Sequence, residues 1–290
     1  MLAPRPYGWL GSFQAMASPC EVHVADVDNA TAQRVLDTVV AETRRIEAKL
    51  SRYRDDNVVH AINTAEGRPV VVDDETARLI DYAAQLFELS DGKFDITSGV
   101  LRRAWKFDGS DKLPRPAAVS ALLPIVGWRK VRWRSPEVTL LPGMQLDFGG
   151  IGKEYAVDRA AALVRPLAQR CLLNFGGDLL ALGSSAEGRP WRVGIEALGD
   201  SSAAAKQIDL SQGALATSGD ARRFLLRKGK RYSHILDPTT GWPVANAPRS
   251  VTVAAPTCTL AGMLATFALL RGRDAEAFLA AQGVQYWALR

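Results

Sequence analysis

Cysteine, histidine and uninterrupted apolar runs are all scarce in this chain, and each scarcity closes off a class of function. Its three cysteines, Cys20, Cys171 and Cys258, stand far apart, each within an apolar run. That is the pattern of buried free thiols, and neither a disulfide framework nor a Cys/His metal cluster follows from it. The longest uncharged stretch, SVTVAAPTCTLAGMLATFALL from Ser250, is broken by Pro256 and several threonines. It suits a strand followed by a buried helix better than a membrane span. The opening MLAPRPYGWLGSF has two early prolines and no long apolar core, so no secretory signal is read there, and the expectation is a soluble cytoplasmic protein without membrane insertion. A basic block and an RNP-like aromatic motif are missing too. The 36 Lys and Arg and 31 Asp and Glu, a net charge of +5, are spread along the sequence, so nucleic acid is not indicated.

What is present is ordinary globular material: 290 residues, 47% hydrophobic and 23% charged, enough for a sizeable core. CEVHVADV alternates as a strand should. The next segment puts Val35, Val39, Thr43, Ile46, Leu50 and Tyr53 on one helical stripe. A second helix runs from the Asp73-Asp74 pair, a good N-cap, to a stop at Gly92, with RPVVV before it as a short strand. Strands KVRWR and EVTLL flank Ser135-Pro136, and MQLDF reads as another strand. A helix from Lys153 to about Arg165 and the strand CLLNF follow. Short strands WRVGIE, QIDLS, ALATS, RRFLL, RYSHIL and SVTVAA come next, and then helices near 259–271 and 274–282. The stretch DGSDKLPRPAAVSALLP from Asp108 reads as an irregular excursion. Strands in hairpins and helices in separate groups predict an α+β fold of mixed or antiparallel sheets with packed helices. No linker divides residues 1–290, so one domain is expected.

Chemistry concentrates at glycine turns. QLDFGGIGKEYAVDRAA, residues 145–161, breaks a strand with three glycines among four residues and then starts a helix. Such a turn brings bare backbone N–H groups up to a phosphate, because glycine has no Cβ in the way and a helix start has unpaired donors. It matches neither the P-loop, since Glu154 follows Gly152-Lys153, nor the Rossmann fingerprint, which needs a third glycine. A ligand-free structural turn remains open. LNFGGDLLALG ends a strand in Gly176-Gly177 and Asp178, and LATSGDARRF places Ser218-Gly219-Asp220 after a strand. In YSHILDPTTGWPV, His234 is read on a strand with Asp237 three positions on to orient it, against the plainer reading of a satisfied structural histidine. GKFDITSGVLRRAW carries Asp95 ahead of Thr97 and Ser98, a good helix N-cap by itself.

Taken together and in order, FQAMASPCEVHV, RIEAKLSRYRDDNVVHAIN, GKFDITSGVLRRAWKF, LDFGGIGKEYAVDRAAALV, LLNFGGDLLALG, ALATSGDARRF, RYSHILDPTTGWPV and SVTVAAPTCTLAGMLAT resemble one family, the FAD:protein FMN transferases or ApbE family. The resemblance implies an enzyme that uses FAD as substrate and cleaves its pyrophosphate with Mg²⁺. FMN passes to a Thr or Ser hydroxyl of a target flavoprotein bearing an Asp-Gly-x-Thr-Ser-like motif, and AMP leaves. Carried over by position, it implies that Met16, Tyr53, Phe94, Asp95, Gly150, Lys153, Tyr155, Gly177, Asp178, Ser218 and Gly219 shape the FAD pocket. His234 is implied to serve the reaction centre as base or positioning group, and Gly152 and Thr266 to hold the metal.

The family's remaining metal ligand is an Asp near the start of the C-terminal helix, where this chain has Gly262. No acidic residue lies between Asp237 and Asp274 to replace it. Glu154 stands where the family has glycine, and so does Ala17. Either Glu154 supplies the missing charge or it is a helix-surface glutamate. Two functional classes stay open: an active transferase, or a metal-site-degenerate FAD-binding protein such as a carrier, sensor or assembly factor. FAD hydrolysis to FMN and AMP is a third possibility within the enzyme class.

Overall fold

Period-2 and period-3.6 patterns place their apolar faces on one core only if sheet and helices stack as layers. The computed structural model describes residues 1–198, 200–220 and 223–290, with the side chains of 200–203 outside the description. In chain order the elements are β1 (Leu2–Arg5), β2 (Gly8–Ala15), β3 (Ser18–Val24), α1 (Asn29–Leu50), α2 (Val58–Asn63), β4 (Val70–Val71) and α3 (Asp74–Leu89). A 3-10 segment, Ile96–Arg103, leads to α4 (Pro116–Ser120), β5 (Arg132–Arg134), β6 (Glu137–Thr139), α5 (Gly152–Val164), β7 (Cys171–Phe175) and β8 (Asp178–Ala181). Then come β9 (Trp191–Ala197), β10 (Asp200–Leu210), β11 (Gly213–Gly219), β12 (Phe224–Arg227), β13 (Lys230–Ser233), β14 (Ser250–Ala255), α6 (Cys258–Leu270), α7 (Ala275–Ala281) and β15 (Tyr286–Leu289).

Eight strands form one antiparallel sheet in the order β1-β2-β3-β7-β8-β11-β14-β15. Helices α1, α5 and α6 pack together against it, α1 along β2, α5 along β7 and β8, and α6 along β11 and β14. β7 is buried on both faces. Cys171, Leu173 and Phe175 join the helix-side core, while Leu172 joins Leu179, Val193, Leu210 and Leu215 under the β9–β10 hairpin. A third cluster, Val100, Leu101, Trp105, Val119, Val126 and Leu225, anchors the β12–β13 hairpin to the 3-10 segment and α4. The expected α+β architecture of antiparallel sheets and packed helices is the one found.

The helix periodicity holds in detail. Val35, Val39, Thr43, Ile46 and Leu50 are buried along α1, and Asp73 caps α3 by accepting from the Glu75 and Thr76 N–H groups. Tyr53 lies beyond the end of α1 and is 80% exposed, so it does not belong to the stripe. β14 followed by α6, with Thr257 as side-chain N-cap, resolves the long uncharged stretch as expected. No helix among the described residues is long and apolar enough to cross a membrane, and all three cysteines are buried and free.

Three readings need correction. MQLDF is extended but joins no strand, because its partners are a side chain and a loop. Asn63 brackets the Leu146 backbone at 2.7 and 3.0 Å, and Asp147 N–H donates to Ile96 O at 2.8 Å. RYSHIL stops being a strand at Ser233, so His234 follows the strand end. The excursion from Asp108 contains α4, with Pro116 in its first turn. The start of RRFLL, Arg222, lies outside the described residues, Arg223 is a bend, and the strand β12 begins at Phe224.

Two tight hairpin turns meet at one end of the sheet. Met16-Ala17 joins β2 to β3, Gly176-Gly177 joins β7 to β8, and Gly176 N–H donates to Pro19 O at 3.0 Å. All four turn residues have positive φ, 51° and 55° at Met16 and Ala17, 61° and 101° at the glycines, the twist-matched geometry of two-residue hairpins. Glycine adopts it freely, whereas alanine there costs about 1 kcal/mol. Ala17→Gly is therefore expected to raise unfolding stability by about 1 kcal/mol, read as a higher urea midpoint at unchanged slope. An unchanged or lower midpoint would remove the strain argument.

Candidate active site

The glycine turn ahead of α5, the two hairpin turns and the edge of the β12–β13 hairpin surround a cavity of about 1620 Å³. Ordinary small-molecule pockets hold about 300–1,000 Å³, so this one has room for a dinucleotide. Met16, Tyr53, Phe94, Asp95, Gly150, Gly152, Lys153, Gly177, Asp178, Ser218, Gly219, His234 and Thr266 all line it.

Tyr155 does not line it. On a helix, residues two apart point about 200° from each other, so Lys153 and Tyr155 cannot share a wall. Tyr155 instead turns towards α3 and donates its hydroxyl to Glu75 Oε1 at 2.8 Å. Arg45 and Lys49 of α1 hold the same carboxylate at 2.7 Å each. Hydrogen bonds from Arg45, then Lys49 and Tyr155, hold Glu75 well below the usual glutamate range. Tyr155 thus helps tie α5 to α1 and α3.

The charges in the cavity come from α5 and the hairpin beneath it. Among the described residues no side chain caps the N-terminus of α5, which leaves that helix end free to face an anion. Lys153, in its first turn, pairs with the buried Asp178 at the start of β8, Nζ to Oδ2 2.7 Å. Burial works against the Lys153 charge, but Asp178 outweighs it and holds the amine above the ordinary lysine value. Burial pushes Asp178 upward while Lys153 pulls it back. Glu154 is only 9% exposed, so it is not a helix-surface residue. Its Oε2 has no hydrogen-bond partner among the described residues. Burial, then the Asp178 charge, pushes the Glu154 carboxyl up to about 8.

Across the cavity, Ser218 Oγ and Thr266 Oγ1 lie 2.9 Å apart and link β11 to α6. Gly219 allows the chain to pass close by, since a Cβ there would meet Arg249 O at 2.4 Å. The Asp95 carboxylate is engaged by the protein itself. Oδ1 accepts from Thr97 N–H and Oγ1–H at 2.7 Å each, and Oδ2 accepts from Trp128 N–H at 2.8 Å. The N-cap reading of Asp95 holds, for a 3-10 turn instead of an α-helix.

His234 is positioned by an unexpected partner. Asp237 caps its own turn, accepting from Thr239 N–H at 2.8 Å, while His234 Nδ1 lies 3.1 Å from the carbonyl oxygen of Arg223. A carbonyl only accepts, so Nδ1 carries the hydrogen and Nε2 keeps a lone pair. Burial holds the imidazole pKa down at about 4, which leaves the ring neutral at pH 7 with one basic nitrogen. Sequence reasoning also missed Arg52, which donates to Gly99 O at 2.8 Å and Asp147 Oδ2 at 3.0 Å behind the glycine turn. The only available signal was a charged residue, Asp147, inside an otherwise apolar extended run. Glu47 was missed as well; it accepts from Met16 N–H at 2.6 Å and steadies the first hairpin turn.

A dinucleotide-sized cleft at the hairpin end of an antiparallel sheet, with hydroxyls, an ion pair and a neutral imidazole on its walls, defines a nucleotide-handling enzyme of α+β fold. The sequence model of the ApbE family matches residues 16–288, and the chain belongs to that family. It is 30% identical over 269 residues to the FAD:protein FMN transferase of Haemophilus influenzae, covering 87% of this chain and 78% of that protein. To the one from Treponema pallidum it is 32% identical over 266 residues, 84% and 73% of the two chains. Among solved structures, the ApbE protein of Thermotoga maritima superposes with a TM-score of 0.86 at 30% identity, over 96% of this chain and 93% of that one. The flavin transferase ApbE of Vibrio cholerae gives 0.84 at 26% identity, over 96% and 92%.

Tyr155→Phe is expected to lower stability at pH 7 by about 1–2 kcal/mol through loss of the bond to Glu75. Glu75→Gln should cost at least as much. Because the folded pKa of Glu75 lies below the ordinary 4.5, its stabilisation is fully present above that value and fades as pH falls towards the folded pKa. Thermal denaturation of Glu75→Gln and wild type at pH 7 and pH 3 should show a gap that narrows in acid. A gap of constant width would exclude the ionic network as its source.

Proposed function

We propose that this protein is an FAD:protein FMN transferase that uses FAD as substrate and a target flavoprotein as acceptor. The observation that carries this reading is His234, held neutral by burial on the wall of a dinucleotide-sized cavity, with Nδ1–H fixed on Arg223 O. The acceptor hydroxyl, from a Thr or Ser in an Asp-Gly-x-Thr-Ser-like motif, gives its proton to His234 Nε2. Its oxygen forms a bond to the FMN-side phosphorus as the bond from that phosphorus to the bridging oxygen breaks. AMP departs with the bridging oxygen. A neutral hydroxyl is a poor nucleophile towards a phosphoanhydride, so the step needs such a base. Lys153 and the N-terminus of α5 stabilise the pyrophosphate, and Phe94 and Tyr53 border the ring systems.

The residues fit a hard divalent cation such as Mg²⁺. Gly152, Thr266 and Glu154 line the cavity, Thr266 brings a hydroxyl, and the buried Glu154 Oε2 has no hydrogen-bond partner among the described residues. When bound, Mg²⁺ supplies neutralisation of the charge developing on the leaving phosphate. The chain's own part is to hold the pyrophosphate, keep the imidazole in one tautomer and shape the opening for the acceptor.

The test is in-gel flavin fluorescence after incubation with FAD and an acceptor domain carrying the motif, with Mg²⁺ or with EDTA. Covalent labelling that depends on Mg²⁺ is expected, and His234→Ala should slow it by about 100-fold or more. FMN and AMP released without a labelled acceptor would replace transfer by hydrolysis. Tight FAD binding with neither product would reduce the protein to a flavin binder.

A further inference from the structure

Helices α5 and α6 are locked in a register that decides which residues face each other. Asp158 of α5 accepts from the Cys258 and Thr259 N–H groups at the start of α6, 2.8 Å each. One turn earlier on α5 stands Glu154, and one turn later on α6 stands Gly262. A Cβ on Gly262 would lie 2.6 Å from Glu154 Cγ, 2.8 Å from Oε1 and 3.0 Å from Cδ. Real side chains do not approach so closely, so the Glu154 carboxylate occupies the space that any side chain at 262 would need. A further turn along α6 is Thr266, hydrogen-bonded to Ser218 on the cavity wall.

Glu154 can be ionised in that place only with a cation beside it. Lys153 is already paired with Asp178 at 2.7 Å, so the cluster holds two buried carboxyl groups against one ammonium. Glu154 Oε2 is buried without a hydrogen-bond partner among the described residues, which is costly unless a ligand completes the site. The Ser218 and Thr266 hydroxyls line the same cavity as Glu154, and an all-oxygen set selects Mg²⁺ or Mn²⁺ over softer metals.

We propose that Glu154 is the carboxylate ligand of the divalent cation, so that the charge reaches the site from α5 while Gly262 of α6 makes room for it. This rests on reading the cavity as the place where a pyrophosphate is cleaved. Positions 154 and 262 then form an exchange pair: either helix can supply the carboxylate, and both together collide.

Mn²⁺ binding, followed by the EPR signal of the free ion in the presence of ADP as a pyrophosphate probe, tests this without any turnover. Wild type is expected to bind, and Glu154→Gln to bind at least about 10-fold more weakly. The double variant Glu154→Gly with Gly262→Asp should recover most of the affinity. Gly262→Asp alone should lower the melting temperature. Wild type without Mn²⁺ affinity, Glu154→Gln as tight as wild type, or a double variant that melts like wild type yet binds as weakly as Glu154→Gln, would each overturn the proposal. Labelling separates it from the transferase reading. Mg²⁺-dependent labelling alongside an unaffected Glu154→Gln leaves the transferase standing and removes Glu154. Lost Mn²⁺ binding in Glu154→Gln, with no acceptor ever labelled, does the reverse.

Discussion

The ion pair between Lys153 and Asp178 is the polar contact on which the cavity depends, because it ties together two turns that the packing of α5 along β7 and β8 brings side by side. Lys153 stands at the start of α5, directly after the 149–152 glycine turn, and Asp178 directly after the Gly176-Gly177 turn at the start of β8. Asp178 also receives Thr217 N–H from β11 at 3.3 Å, so one buried carboxylate aligns a helix start, a hairpin and the neighbouring strand. Removing one partner of such a pair strands the other in a poorly solvating interior, typically at about 3–5 kcal/mol. The partial exposure of Lys153 places this pair towards the lower end. The pair fixes the walls, and the cavity is what the walls leave between them.

That arrangement explains why some of the site could be read from the sequence and some could not. The Gly176-Gly177 turn was legible because positive φ demands glycine locally, and Gly219 because a close backbone approach does. The α1 stripe, the Asp73 cap and the strand before α6 were legible because period and capping chemistry are local too. The Arg52–Asp147 pair joins residues 95 positions apart, and Glu47 holds a turn 31 positions away. Neither pairing leaves a mark on the sequence near either residue. β15 was missed because its four residues are only half-buried and show no clean alternation. MQLDF has the composition of a strand, and only tertiary context gives its backbone a side-chain partner instead of a ladder.

The residues that depart from the pattern the resemblance implies are individually unfavourable and jointly consistent. A buried glutamate in the first turn of a helix invites a desolvation cost, and a glycine inside α6 weakens that helix by about 1 kcal/mol relative to alanine. Each would be unexplained alone. In contact, the glycine accepts the carboxylate that the glutamate brings, and the Asp158 bonds to the start of α6 keep the two in register. Ala17 has no such partner; its positive φ is an uncompensated cost, and nothing in the surrounding structure explains why glycine is absent there.

In the proposed reaction, the state of His234 would link substrate binding to chemistry. Burial keeps its pKa near 4, and the Arg223 and Arg102 cations push in the same direction. A base that weak takes a hydroxyl proton poorly. A pyrophosphate bound as proposed would put negative charge into the same cavity, favour the imidazolium and raise that pKa. The Arg223 carbonyl holds the tautomer throughout, so Nε2 is the atom that gains basicity. In the proposed reaction the imidazole would thus gain basic strength once FAD is in place, which would tie activation of the acceptor hydroxyl to the complex in which there is FMN to transfer.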